Sequence, residues 1–506
     1  MNKVIKIGLI LLTFASVFLG SWYVIQGDII FHTDIARDFL LLNELSIKKI
    51  ILVGPRADWK GLFHGPLWLY FNLPAYLLGK GNPVMVGWFW IFATIIFSSV
   101  YFFIIKKLFD TVTALLFIPL FLLILAPFMN QFYNPIGTLL MMPLFFYTIV
   151  QYHKNRKILY ILLHLLITGL LIQFQLAVGI PLLILSTAFL LYNIFKNKKF
   201  NHLFGFLILI LPLFTFILFD IRHNFLQLNG IIDHFSGKEI FFSVDMLAKI
   251  SNRVETAIKD GLGFFPGGFS VFNVIINYFI TLCIFRAISQ KKNKWKVQYY
   301  LFLYYYIGFY LLSLIHHGLL LIHYVLPLIS LPLLIFSSLY KYSNKKLFMF
   351  LYIFIMILNL YAGTKSIRES SQFIGKNKGS WKFLRNVTEN VYKNADDKDF
   401  GIYIYAPDVY AYAPKYAMLY GQTLFPNKKM HYSKKMKETF LVYEPPPSDK
   451  PWFNGIGWKT GQVKIDTNPI KVINFPNGYK IEKYILTNDQ IKIPSDSLLE
   501  DWISQR

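Results

Sequence analysis

A single cysteine, Cys283, occurs in the 506 residues, and it lies inside an apolar run. One thiol cannot form an intrachain disulfide, and a zinc centre built from cysteine thiolates is excluded. Acidic residues are also scarce, 27 against 51 lysines and arginines, and they are nearly absent from the long apolar stretches. A transporter that moves charge through mid-membrane needs such residues there, or an internal repeat with broken helices. Neither is found. No repeat with a period of about 20 to 50 residues exists, which argues against a solenoid or propeller. Metal-ligand spacing is missing too, because His316 and His317 are adjacent and do not share a helical face.

What the chain has in excess is apolar surface. Hydrophobic residues make up 55% of it and the mean hydropathy is +0.46, more than one or two soluble cores of this size can bury, so lipid must solvate the remainder. The formal charge of +24 suggests a nucleic-acid binder only until the lysines are placed. They fall in short clusters between apolar runs, which is a topology signal, and no nucleic-acid partner is expected. The first run, residues 5–25, ends in Gly20, Ser21, Trp22 and Tyr23, a poor cleavage site, and is read as a retained helix and not a signal peptide.

Eleven stretches are read as membrane spans: residues 4–25, 83–105, 111–129, 136–152, 158–174, 176–195, 203–219, 271–285, 297–315, 322–340 and 347–362. Every second connection is basic, at Lys106 and Lys107, at Lys154, Arg156 and Lys157, at Lys196, Lys198 and Lys199, at 291–296, and at Lys341, Lys345 and Lys346. With Lys3 and Lys6 these face the cytoplasm by the positive-inside rule, so the N-terminus is cytoplasmic and an odd number of crossings places the tail outside. The expected fold is mainly α: a polytopic transmembrane helical bundle (1–363) with outer loops at 26–82 and 220–270, followed by a small extracytoplasmic α/β domain (364–506). Alternating stretches at 400–405 and 463–473, with turn signals at 445–447, 454–455 and 477–478, support the α/β reading of the tail.

The outer corners carry the polar residues. If residues 31–45 are helical, Asp34, Arg37 and Asp38 share one face by their three- and four-residue spacing, with Ile35, Phe39 and Leu42 on another. The bland reading is a helix lying in the membrane surface with the N-terminal Asp as its cap. Gly54, Pro55 and Arg56 are followed by His64, Gly65 and Pro66, which read alone as a turn. Further corners hold Asn130, Gln131, Tyr133, Asn134 and Pro135; Gln173 and Gln175; Asp220, Arg222 and His223; and His316, His317, His323 and Tyr324. Asp220 and Arg222 ask for more than headgroup anchoring, since charges at membrane depth are usually paired and functional. Trp59, Trp68 and Tyr70 read as members of an interfacial belt.

In this order along the chain, these motifs resemble bacterial GT-C glycosyltransferases, relatives of the protein O-mannosyltransferases and of the lipid A aminoarabinose transferase. The resemblance covers the membrane region through about Tyr340. It implies transfer of a hexosyl or pentosyl group from a polyprenyl-phosphate donor to an extracytoplasmic acceptor, whether glycan, lipid or protein, by a multi-pass protein of the cell membrane. An acid of the first outer loop serves as base, a role that falls on Asp34 with Asp38 in support. Many members have two adjacent acids, whereas here Ile35 follows Asp34 and Asp38 comes a turn later; a His is common where Gln175 stands. Since polyprenyl phosphate is already a good leaving group, the enzyme must deprotonate a hydroxyl and stabilise the departing phosphate. Arg37, Arg56, His64, Arg222 and His323 are the candidates for the phosphate, with Asp220 orienting Arg222 and with His223, Asn134, Gln173, Gln175 and Tyr324 in support. No metal site and no cofactor is assigned; a divalent cation (Mg or Mn), used by some relatives, is neither required nor excluded by the sequence. The rival is a transporter or flippase for polyprenyl-linked glycans or lipids. In the tail, Asp408, Tyr410, Trp452 and Trp458 are read as binding acceptor or covering the active site.

Overall fold

The computed structural model describes residues 3–57, 59–236, 244–260, 262–316, 318–408 and 410–499; His317 and part of the predicted outer loop 220–270 lie outside the described residues. Among these, nine helices are long and apolar enough to cross a membrane: Lys3–Ile25, Pro83–Leu108, Thr111–Asn130, Asn134–Asn155, Leu176–Lys196, Phe200–Arg222, Phe272–Ser289, Ile322–Leu339 and Lys345–Phe373. The two other predicted spans are helical as well. Ile158–Phe174 has only 17 residues, and Lys296–Ser313 carries six tyrosines that lower its apolar character. The chain is a multi-pass membrane protein.

Two compact units form, and they interleave along the chain: Met1–Ser21, Ile50–Phe71 and Trp90–Ser366 make the first, and Trp22–Lys49, Asn72–Phe89 and Ile367–Arg506 the second. In the first, buried polar side chains satisfy one another. His164 Nδ1 lies 3.0 Å from Thr148 Oγ1 and its Nε2 2.9 Å from Ser186 Oγ, which in turn is 3.1 Å from Tyr305 OH. This ties four helices together by groups that would be costly to leave unpaired in hydrocarbon.

The second unit holds the predicted α/β domain together with two pieces of the predicted first outer loop. Its sheet comprises β1 (Asp399–Tyr405), β2 (Lys429–Tyr432), β3 (Glu438–Tyr443), β4 (Lys471–Asn474) and β5 (Lys480–Ile485), in the order β2-β1-β3-β5-β4. β1 is parallel to β2 and β3, and β5 is antiparallel to β3 and β4. The fully buried run through β3 marks it as the central strand. Inside the unit the Tyr412–Leu424 helix packs on the Trp381–Asn394 helix and on the Thr33–Lys48 helix.

The carboxylate of Asp28, wholly buried, joins these pieces. It accepts from Ser380 Oγ at 2.5 Å, from Lys382 N at 2.9 Å and from Ile29 N at 2.9 Å, while Ser380 Oγ caps the Trp381–Asn394 helix. Burial raises the pKa of Asp28 and these hydrogen bonds oppose the rise. Asp28→Ala leaves Ser380 and the Lys382 N–H without their acceptor, so the unit should lose about 2 to 4 kcal/mol. Thermal unfolding of the purified protein followed by circular dichroism checks this, and an unchanged midpoint contradicts the clamp.

Candidate functional site

In the second unit the Thr33–Lys48 helix carries the acidic motif. Its start differs from the expected cap: His32 is the N-cap residue, and its Nδ1 accepts from Asp34 N at 3.3 Å, so Asp34 is left for other work. The expected membrane-surface face is instead packed in protein. Ile35, Phe39 and Leu42 are buried, and Phe39 meets Tyr416 at 5.1 Å between ring centroids. Burying this face against the tail stabilises the helix far more than its own propensity can.

The spacing places Asp34, Arg37 and Asp38 together, as expected. Arg37 Nη1 lies 3.2 Å from Asp34 Oδ1, and Arg37 Nη2 and Nε lie 3.1 and 3.2 Å from Asp38 Oδ1. The two acids differ sharply in exposure, 56% for the Asp34 side chain against 3% for Asp38. Burial works against the Arg37 charge, but Asp38 and Asp34 outweigh it and raise its pKa. Arg37, a phosphate candidate by sequence, thus spends its fork on two carboxylates. Beside it, burial lowers the His32 pKa, with Asp34 opposing and Arg37 adding to the shift. From the tail, Asp408 Oδ2 accepts from Thr33 Oγ1 at 3.3 Å, and its Oδ1 accepts from Ala411 N at 3.0 Å.

The His32 shift has a pH consequence. A histidine whose folded pKa is depressed contributes stability above its unfolded pKa, about 6.5, which is lost as pH falls below that value. Unfolding midpoints measured from pH 7.5 to 5.5 should fall in the native chain and fall less in His32→Asn. Parallel curves would remove His32 from this role.

In the first unit the stretch from Gly54 to Gly65 is a tight hairpin. Gly54 N donates to His64 O and His64 N to Pro55 O, both at 2.8 Å, with a bridge between Arg56 and Phe63. The glycines are required by contact: a Cβ on Gly54 would meet the Gly65 carbonyl, and one on Gly65 would meet the Gln173 side chain. Gly65 N donates to Gln173 O at 2.9 Å, Asn134 Nδ2 donates to Phe174 O and Gln175 Oε1 at 2.8 Å, and Leu176 N reaches His64 Nδ1 at 3.5 Å. The structure therefore brings His64, Asn134, Gln173 and Gln175 together. The three amides are buried and bind main-chain carbonyls, one another or the Thr215 hydroxyl, so they brace the helix junction against which Gly65 rests. Arg56 stands exposed on it.

Asp220 departs from its expected role. Its Oδ1 accepts from Gln227 N at 2.8 Å and its Oδ2 from Leu228 N at 3.2 Å, at the start of the Leu226–Phe235 helix. Among the described residues no ion pair joins it to Arg222, which is exposed. The unmade N–H groups of the helix start claim the carboxylate first. His223 bonds Phe219 O at 2.8 Å and stacks on the Phe219 ring at 4.1 Å. Nor do Trp59 and Trp68 form a lipid belt. Trp59 stacks on His234 at 3.5 Å and lies parallel to His316 at 6.1 Å, while Trp68 is buried against Trp90 at 4.8 Å. His323 packs edge-on against the buried Tyr324 at 4.3 Å.

Sequence reading missed Arg253. This buried guanidinium donates through Nη2 to Ser313 O, His316 O and Gly318 O at 3.1, 3.3 and 2.8 Å, and through Nη1 to Asn252 Oδ1 at 2.7 Å. Burial lowers its pKa. The signal was present in the amphipathic Met246–Glu255 helix, whose apolar residues surround a lone arginine near its end. Arg253→Gln should loosen the turn that carries His316, read as at least about tenfold faster hydrogen exchange at Gly318 and Leu320. Unchanged protection would refute it.

Among the described residues no three His, Cys, Asp or Glu side chains gather as a metal site. No family model and no curated protein matches the sequence. The fold, however, is similar to that of ArnT from Cupriavidus metallidurans in two crystal structures. With undecaprenyl phosphate bound, the TM-score is 0.56, and in the apo state 0.57; each match has 10% identity and covers 95% of this chain and 97% of that one. A polytopic helical bundle with a small C-terminal α/β domain, similar in fold to ArnT, is thus the fold of this chain.

Proposed function

We propose that the chain is a membrane glycosyltransferase that moves a sugar from a polyprenyl-phosphate donor to an acceptor outside the cytoplasm. Its N-terminus would be cytoplasmic and its tail extracytoplasmic. The likeness in fold to a protein solved with undecaprenyl phosphate supports a lipid-linked donor. The observation that carries the reading to this chain is the unequal pair of acids on one arginine.

Asp34 is the base in this account. Exposed and held at one oxygen by Arg37, it accepts the proton of the acceptor hydroxyl as that oxygen bonds the anomeric carbon and the C–O bond to phosphate breaks. Asp38, buried, orients Arg37 and through it Asp34. Arg56, Arg222, His64 and His323 are the candidate partners of the departing phosphate, each separable by substitution. The proposal needs no metal step.

Purified protein in vesicles, offered a panel of radiolabelled polyprenyl-phosphate sugars and acceptors, should consume one donor. Asp34→Asn should lower that rate by a factor of about 100 to 10,000 with folding intact. A protein that moves donor across the bilayer without consuming it would be a flippase, and the transferase reading would fail.

A further inference from the structure

The second unit contains the ends of two apolar helices, the polar end of the Lys345–Phe373 helix, and one loop whose apolar tip is exposed. At the end of the Lys3–Ile25 helix, Trp22 Nε1 bonds Ser370 Oγ at 2.9 Å and Tyr23 meets Phe373 at 5.7 Å, so residues 370–373 lie level with the last apolar turn of a span. Tyr416 OH bonds Gly81 O at 2.5 Å, two residues before the Pro83–Leu108 span begins. Just beyond Phe373, Lys376 O accepts from Asn477 Nδ2 at 2.8 Å, and Lys378 Nζ pairs with Glu444 Oε1 at 2.8 Å. Glu444 directly follows β3, and Pro445 packs against Gly478. The loop that leaves β3 here therefore starts close to the last turn of the Lys3–Ile25 span.

That loop is rigidly rooted and apolar at its tip. Gly455, at φ +78°, sits so close to the rings of Tyr405 and Tyr443 that no side chain fits, and Trp458 packs on the same two rings at 5.4 and 5.7 Å. Beside these roots Trp452, Phe453 and Ile456 are 66, 40 and 67% exposed. Polar exposure around them includes Lys450 and Asp449, with Lys376 and Lys378 at the loop's root. A tryptophan, a phenylalanine and an isoleucine beside lysines suit the headgroup boundary of a bilayer. A carbohydrate platform would favour flat rings ringed by carboxylates and amides, and Ile456 offers it nothing.

We propose that the loop from Pro445 to Gly457 is a membrane-interface anchor, with Trp452, Phe453 and Ile456 inserted into lipid at the headgroup boundary. It holds the carboxyl-terminal edge of the sheet, and with it the Asp408 turn, down on the bilayer. This holds whether or not the chain is a transferase, because the test reads depth and not sugar transfer.

Cys283→Ser gives a full-length chain without cysteine, and Gly457→Cys adds one where a Cβ meets open space. A polarity-sensitive fluorophore at that position is read in vesicles of phosphatidylcholine and phosphatidylglycerol with nitroxide-labelled acyl chains. A control label at Lys398→Cys sits before β1, at the end of the parallel strands opposite to the loop. The loop label should lose about half or more of its emission to the shallow nitroxide, and the control should not. In the triple variant Trp452→Ser, Phe453→Ser, Ile456→Ser, with circular dichroism unchanged, that quenching should disappear. A loop label open to aqueous iodide and unquenched by lipid overturns the anchor in favour of a water-borne partner. Quenching that persists in the triple variant overturns the role of the three side chains.

Discussion

A buried carboxylate in an apolar surrounding is expensive unless a charge meets it, and Asp38 is met by Arg37 at 3.1 Å. The rest of the acidic motif follows from that contact. Because Arg37 must stay within reach of Asp38, its remaining N–H group is directed at Asp34, a turn earlier on the same helix. The helix start is given to His32, so Asp34 need not serve as cap. One exposed acid, fixed in place by a guanidinium that a second acid holds, is the arrangement a general base requires: positioned and open to a hydroxyl.

The same demand for satisfied polar groups explains the corners. Asn134 and Gln175 serve the junction between the Ile158–Phe174 and Leu176–Lys196 helices, Gln173 bonds Pro212 O and Thr215, Asp220 serves a helix start, and Arg253 gathers the carbonyls of a turn. Near hydrocarbon, water is not available to do this, so side chains close to span ends are spent on main chain before they are spent on substrate. Polarity at a helix end therefore marked where the chain turns between helices without telling which groups act on a ligand.

What was legible in the sequence follows this division. Apolar length revealed the helical bundle, since lipid imposes span length directly. The i, i+3, i+4 spacing revealed that Asp34, Arg37 and Asp38 meet. His32 as cap was hidden because imidazole is an unusual helix cap, and Asp220 was misassigned because Arg222, two residues on, looks like its partner while the helix start it serves is six residues further along the chain. The union of residues 22–49 and 72–89 with the tail could not be read at all. It depends on long-range contacts such as Asp28 with Ser380 and Phe39 with Tyr416, and nothing local in those segments signals them.

The central claim is that Asp34 takes the proton and Asp38 only holds the arginine. Chemical rescue separates the two: sugar transfer is measured for Asp34→Ala and Asp38→Ala, each with and without added formate. Formate entering the space left at the exposed Asp34 position should restore a measurable part of transfer to Asp34→Ala and none to Asp38→Ala, whose site is closed to solvent. Failure to rescue Asp34→Ala, or equal rescue of both, would contradict the assignment of the base.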